Sequence, residues 1–355
     1  MGFSQIKQTT GKDLSLETLR GAAVILMVAG HVIGVTADSG LRVGQDSFLR
    51  YCYDSLVAIR MPLFTAISGY VYCLKPFQSK YWRKFFNGKM RRICLPLICV
   101  SALQFTAKAI IPFVNAPTEF SEIWRILFFP FDQFWFLHAI LWIYALVALL
   151  DSFKFLENFG RWFLVTSGLF LLTLVNPNWD FFSFGNFIVL VPWFSLGVGL
   201  YRFHHVIFSG FNTLALATTF AIAYFVQQTA WLDIIQYPNQ QALYSLAIYL
   251  IGICGITLLF RFRRPNHTLA WMGSYAYSIY LLHIFPMSGS RIVLQKLGVD
   301  STFILFFASL AGGIFIPIII HRVLQPIPYL STCLLGLKPK ALPRRTKASV
   351  GLEPS

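Results

Sequence analysis

Two residues open the reading. Arg20 and His31 stand eleven positions apart in the apolar run LETLRGAAVILMVAGH. At about 100° per residue that spacing is three helical turns plus about 20°, so both side chains share one helix face, about 16 Å apart along the axis. An ionisable side chain at membrane depth costs several kcal/mol unless it meets a polar cavity or a partner, so each such residue is a functional candidate. An imidazole titrates near neutrality and can take a proton from a hydroxyl. A guanidinium grips phosphate or carboxylate through its planar fork. Two further runs carry the same residue types: Arg60 in AIRMPLFTAISGY and His283 in SYAYSIYLLHIF. Counted from the ends of their runs, Arg60 lies about 14 Å from the outer end of its helix and His283 about 22 Å from the start of its own. His31, Arg60 and His283 are therefore predicted in one layer on three helices, around one buried polar cavity.

Plainer readings stand beside this one. An intramembrane histidine can serve as an interhelical hydrogen-bonding residue, the alternative for His283 and for His138. Arg60 can snorkel. His321 adjoins Arg322 at a helix end, and His204 and His205 have no carboxylate near them in sequence, so no metal site is expected. Arg91 and Arg92 precede an apolar run, where they can anchor it or meet a phosphate. The aromatics Trp179, Phe181, Phe182, Trp231 and Tyr237 fit an interfacial belt better than a sugar platform.

The elements that must position these groups are apolar helices. Only 12% of the 355 residues are charged and 56% are hydrophobic, against about 25% charged in a soluble domain. The expected architecture is an all-α, polytopic transmembrane bundle of about ten spans, near 16–36, 51–74, 93–114, 133–150, 162–176, 186–201, 211–227, 243–260, 268–288 and 302–321. Residues 1–335 form one membrane domain; 336–355 form a basic tail expected to be disordered. The net charge of +15 sits mostly in alternate short loops: Lys7 and Lys12, the cluster from Lys75 to Arg92, Lys154 and Arg161, Arg202, Arg261 to Arg264, and the tail. The segments 176–186 and 227–241 hold no Lys or Arg. That alternation puts both termini in the cytoplasm and points to a bilayer rather than a nucleic acid as the partner. The six cysteines form no C-x-x-C pair. No Walker, dinucleotide or zinc signature appears, which argues against an ATP-driven pump and most cofactor enzymes.

Four pieces, in order, carry a family resemblance: LETLRGAAVILMVAGH with Arg20 and His31; MPLFTAISGY with Pro62, Phe64, Ser68, Gly69 and Tyr70; RRICLP with Arg92 four residues before Pro96, followed by FWFL around Trp135; and SYAYSIYLLH with Tyr280 and His283. Together they resemble the acyltransferase-3 family of bacterial membrane O-acyltransferases, especially fucose 4-O-acetylases and other polysaccharide O-acetyltransferases. Where that pattern often has His before the second piece, this chain has Arg60.

The resemblance implies an inner-membrane enzyme that moves an acyl group, usually acetyl from acetyl-CoA, to a carbohydrate hydroxyl, with no bound cofactor. It implies that His31 and Arg20 belong to the catalytic centre. Arg60, Ser68, Arg92, Trp135, Tyr280 and His283 are the candidates for binding substrate. Acyl-CoA, arriving from the cytoplasm, is expected at Arg20 and Arg92. The competing readings are a transporter or flippase of lipid-linked sugars or small metabolites, and a non-catalytic scaffold.

Overall fold

The computed structural model describes residues 13–111, 114, 117–175 and 179–338, all of it helix and connecting loop. Lys7, Lys12 and the tail from residue 339 lie outside the described residues. Helix α1 (Leu14–Ile33) starts at Asp13, whose carboxylate accepts the N–H groups of Ser15 and Leu16, and stops at Gly34, where φ is 97°. Helices α2 (Phe48–Ser55) and α3 (Val57–Tyr72) follow, bent by 43° around Leu56. The short α4 (Trp82–Lys89) runs through a π-helical turn, Met90–Cys94, into α5 (Leu95–Ile110). After α6 (Arg125–Phe128) come α7 (Trp135–Ser152), α8 (Phe159–Leu172) and α9 (Phe184–Arg202). Next are α10 (His204–Ile207), α11 (Gly210–Trp231) and α12 (Gln240–Arg261). The chain closes with α13 (His267–Ser274), α14 (Ala276–Leu282), α15 (Ile284–Lys296), α16 (Thr302–Leu324) and α17 (Pro328–Leu335).

Six helical stretches among the described residues are long and apolar enough to cross a bilayer, or seven if the bent α2–α3 pair is one span. They cover seven of the ten expected segments. The remaining three are helical but differ in kind. The fifth is a short apolar helix, the seventh is α11, and the ninth is broken into α13, α14 and α15 at Tyr275 and His283. Large apolar side chains face outward on α8, α11 and α16, among them Leu164, Phe211, Leu214, Ile222, Phe303, Phe307 and Ile319. Water does not tolerate such a belt; lipid does.

Inside the bundle, helices approach through glycine. On α3 and α9, a Cβ at Gly69 would strike the Phe194 carbonyl, and one at Gly197 would strike the Ala66 carbonyl. On α1 and α13, Gly21 faces Leu269 and Gly273 faces Glu17 in the same reciprocal way. Helices in lipid gain their packing from such close backbone contact. We expect Gly197→Ala to cost about 1–3 kcal/mol by overpacking. A melting curve in detergent checks this, and an unchanged midpoint would contradict the crossing.

One end of the bundle gathers the start of α1 with the ends of α3, α7, α9 and α12. Arg263 donates to the Asp13 carboxylate at 3.3 Å and to the Tyr70 hydroxyl at 3.0 Å. Arg202 grips Asp151 through two bonds of 2.8 and 3.0 Å, and the Tyr72 hydroxyl donates to the same carboxylate at 2.5 Å. These contacts tie α3, α7 and α9 together where the basic loops of one side meet. Gly336 takes a left-handed conformation (φ 62°) against the Arg91–Arg92 backbone, and Leu337 donates its N–H to Ser331 and packs on the core, so the folded body runs past residue 335.

Candidate active site

His31 and His283 meet. Their ring centroids are 5.0 Å apart with planes at 47°. His31 comes from the last turns of α1, and His283 is the joint between α14 and α15. His283 is fully buried, with Nδ1 at 3.1 Å from the Ile279 carbonyl and 2.9 Å from the Tyr280 carbonyl. Carbonyl oxygens only accept, so Nδ1 carries the hydrogen and Nε2 is left as a lone pair. That Nε2 has no hydrogen-bond partner. His31 is half-buried and is the less enclosed ring of the two.

Arg60 stands beside them. Its guanidinium crosses α1 at Gly30, the residue before His31, where any Cβ would collide with it. The guanidinium carbon sits 3.7 Å from the centroid of Tyr53, and Arg50 approaches the same ring at 5.0 Å. Arg50 is 2% exposed and donates to the Gly34 carbonyl at 2.8 Å. Arg50 Nε and Nη2 and Arg60 Nε are buried donors without a partner. Unsatisfied buried donors of this kind are rare and mark a place where a ligand or water completes the shell. The single polar layer expected for His31, Arg60 and His283 is present, and Arg50 and Tyr53 belong to it as well.

Arg20 is elsewhere. It is paired with Glu17 at 2.6 Å, three turns away from the histidine pair towards the start of α1. Tyr280 is buried one turn before His283 and donates its hydroxyl to the Gln133 carbonyl at 2.7 Å. Gln133 in turn forms a reciprocal amide pair with Gln104 on α5, with bonds of 2.8 and 3.3 Å. Trp135 starts α7 and packs on Phe136, and Ser68 spends its hydroxyl on the Phe64 carbonyl at 3.0 Å. Arg92 sits in the π-helical turn, exposed, with its carbonyl accepting the Tyr277 hydroxyl and its guanidinium 5.8 Å from the Tyr277 ring. Tyr277 and Tyr280 of α14 lie 6.4 Å apart, between Arg92 at one end and His283 at the other. Among the described residues, no three His, Cys, Asp or Glu side chains gather where they could hold a metal ion.

The helices, their lipid-facing belt and the buried polar layer define a polytopic integral membrane protein. Its residues 13–322 match the family model described as an acyltransferase domain, and the chain belongs to that acyltransferase-3 family. It is similar to the nodulation protein NolL of Sinorhizobium fredii, 25% identical over 185 residues, covering 49% of this chain and 48% of that protein. It is also similar to the nodulation protein NolL of Mesorhizobium japonicum, 24% identical over 148 residues, covering 41% and 38%. The chain thus spans about half or less of the length of the curated relatives it matches. No solved structure matches it.

Proposed function

We propose that this protein is a membrane O-acyltransferase that moves an acyl group, acetyl from acetyl-CoA, to a hydroxyl of a cell-surface or lipid-linked carbohydrate at the inner membrane of a bacterium. The observation that carries the reading is the His31–His283 pair, at 5.0 Å, beside the half-buried guanidinium of Arg60. A hydroxyl is a poor nucleophile at neutral pH and needs a base. His31 removes its proton as the oxygen attacks the thioester carbonyl carbon. The carbonyl oxygen becomes an oxyanion, for which the free Nε–H of Arg60 is a donor of opposite charge. Collapse of the tetrahedral centre breaks the carbon–sulfur bond, and the imidazolium returns its proton to the departing CoA thiolate. Ester and free CoA result. The Nε2 lone pair of buried His283 supports the positive charge on His31 directly or through one water.

The donor enters from the side where α1 begins, which the basic loops assign to the cytoplasm. Arg20 and Arg92 hold its phosphates there, and Tyr277 and Tyr280, between Arg92 and His283, lead its thioester end to His283. Both termini then face the cytoplasm.

Arg60→Met is expected to lower turnover about 10²–10³-fold with little change in the KM for acyl-CoA. A large rise in KM at unchanged turnover would instead make Arg60 a donor-binding residue. The function itself is tested by incubating membranes that hold the protein with acetyl-labelled CoA and a crude glycan fraction. Label in a base-labile ester supports the reading. Absence of ester, with label crossing the membrane, would replace it by transport.

A further inference from the structure

The positive-inside rule keeps Lys and Arg off the far side of a membrane protein, yet several cations stand at the end of the bundle opposite Arg20. Lys108 and Arg125 there are paired with Asp132 and Glu122, while Arg42, Arg50, Arg291 and Lys296 gather near the end of α1. Arg42, Arg291 and Lys296 line one cavity of about 320 Å³, together with Gly40, Leu41, Ile292 and Gln295, and among the described residues no carboxylate is part of its lining. The loop after α1 builds its roof. Gly40 turns at φ 57° hard against the end of α1, and the following residues carry Arg42 over α15, where Arg291 donates to the Gly40 carbonyl. From the floor a gap of about 10 Å³, room for one water, continues inward between Val32, Met287, Ser288 and Ser309. Ser309 is 1% exposed and its hydroxyl, on the wall of that gap, has no partner. Val32 follows His31 in sequence, and Met287 is one turn beyond His283 and donates its N–H to the His283 carbonyl. The gap is too small for a sugar, but its lining residues show that the basic cavity and the histidine pair flank the same stretch of α1 and α15.

We propose that this cavity binds the anionic group of the carbohydrate acceptor, a carboxylate or a phosphate ester, and so presents a hydroxyl of a neighbouring sugar to His31. Arg291 lies two turns past His283, about 12 Å along α15, a separation that an oligosaccharide bridges and a single sugar does not. The acceptor is on this account an acidic oligosaccharide. The anion site stands on its own geometry; its role for an acceptor rests on the acyltransferase reading.

The test is equilibrium binding to the purified full chain in neutral detergent. The probes are trigalacturonate, inorganic pyrophosphate and neutral maltotriose. At least one anion should bind saturably, and maltotriose should not. The stronger anion tells carboxylate from phosphate. Lys296→Gln and Arg291→Gln should each weaken that anion about tenfold, the share of one charge-assisted hydrogen bond. Lys296 is exposed and its variant keeps the test valid if Arg291→Gln disturbs the Gly40 turn. His31→Ala should leave anion binding unchanged. The proposal falls if neither anion saturates, if maltotriose binds equally, if both charge variants bind as the wild type does, or if phosphatidylglycerol nanodiscs abolish the binding seen in phosphatidylcholine nanodiscs, which would make the cavity a lipid headgroup site. Anion binding without acyl transfer would overturn the function and spare the cavity. Acyl transfer without anion binding would do the reverse.

Discussion

Replacing His31 by alanine is expected to lower ester formation about 10²–10⁴-fold, the usual share of a general base, with acyl-CoA binding retained. The geometry favours this residue over its neighbour as the proposed base. His283 is sealed at 0% exposure, and its Nδ1 faces two backbone carbonyls. His31 is half-open on the last turns of α1. The proposed base is thus the less enclosed ring, and the ring behind it is fixed in one tautomer by the helix it ends. Two groups that act as one unit give non-additive losses. The double variant His31→Ala/His283→Ala should then be little slower than His31→Ala alone. Losses that multiply would show the rings acting separately.

Asp151→Ala has the largest expected effect on stability. The carboxylate is the hub of three helices: Arg202 of α9 holds both oxygens, and the Tyr72 hydroxyl of α3 donates to one while accepting the Phe77 N–H at 3.0 Å. The Asp151 side chain is 7% exposed and that of Arg202 17%. Removing one partner of a buried pair leaves the other charge uncompensated, at a cost of about 3–5 kcal/mol. The protein should melt earlier in detergent and lose its monodisperse elution. Removing both charges, as Asp151→Leu with Arg202→Met, should recover part of the loss, because the uncompensated guanidinium is gone. A single variant as stable as the wild type would show the hub to be ornamental.

These sites differ in how far residue patterns reveal them. Depth along a helix is arithmetic, so His31, Arg60 and His283 could be placed in one layer by counting from the ends of three apolar runs. Arg20 shows the limit of the same counting. It shares the His31 face of α1, but its guanidinium is held by Glu17, one turn away, and periodicity does not say which polar partner a side chain takes. Arg50 and Tyr53 escaped because they sit where the second span was expected to begin, and the bend around Leu56 folds that stretch back over the end of α1. The Asp151–Arg202 pair joins residues 51 positions apart, and nothing local in either run names the other. The ninth span shows why a count of about ten exceeds the six or seven continuous spans. Its joint is marked three residues later by Pro286, which has no N–H to offer the Leu282 carbonyl and crowds it, so α14 ends at Leu282 and α15 starts again at Ile284.

Membranes holding the wild type or His31→Ala at equal level are incubated with acetyl-labelled CoA and the glycan fraction, and base-labile ester is counted. Ester is expected with the wild type and almost none with His31→Ala. Equal label in both would contradict this, because the histidine pair would then take no part in the transfer.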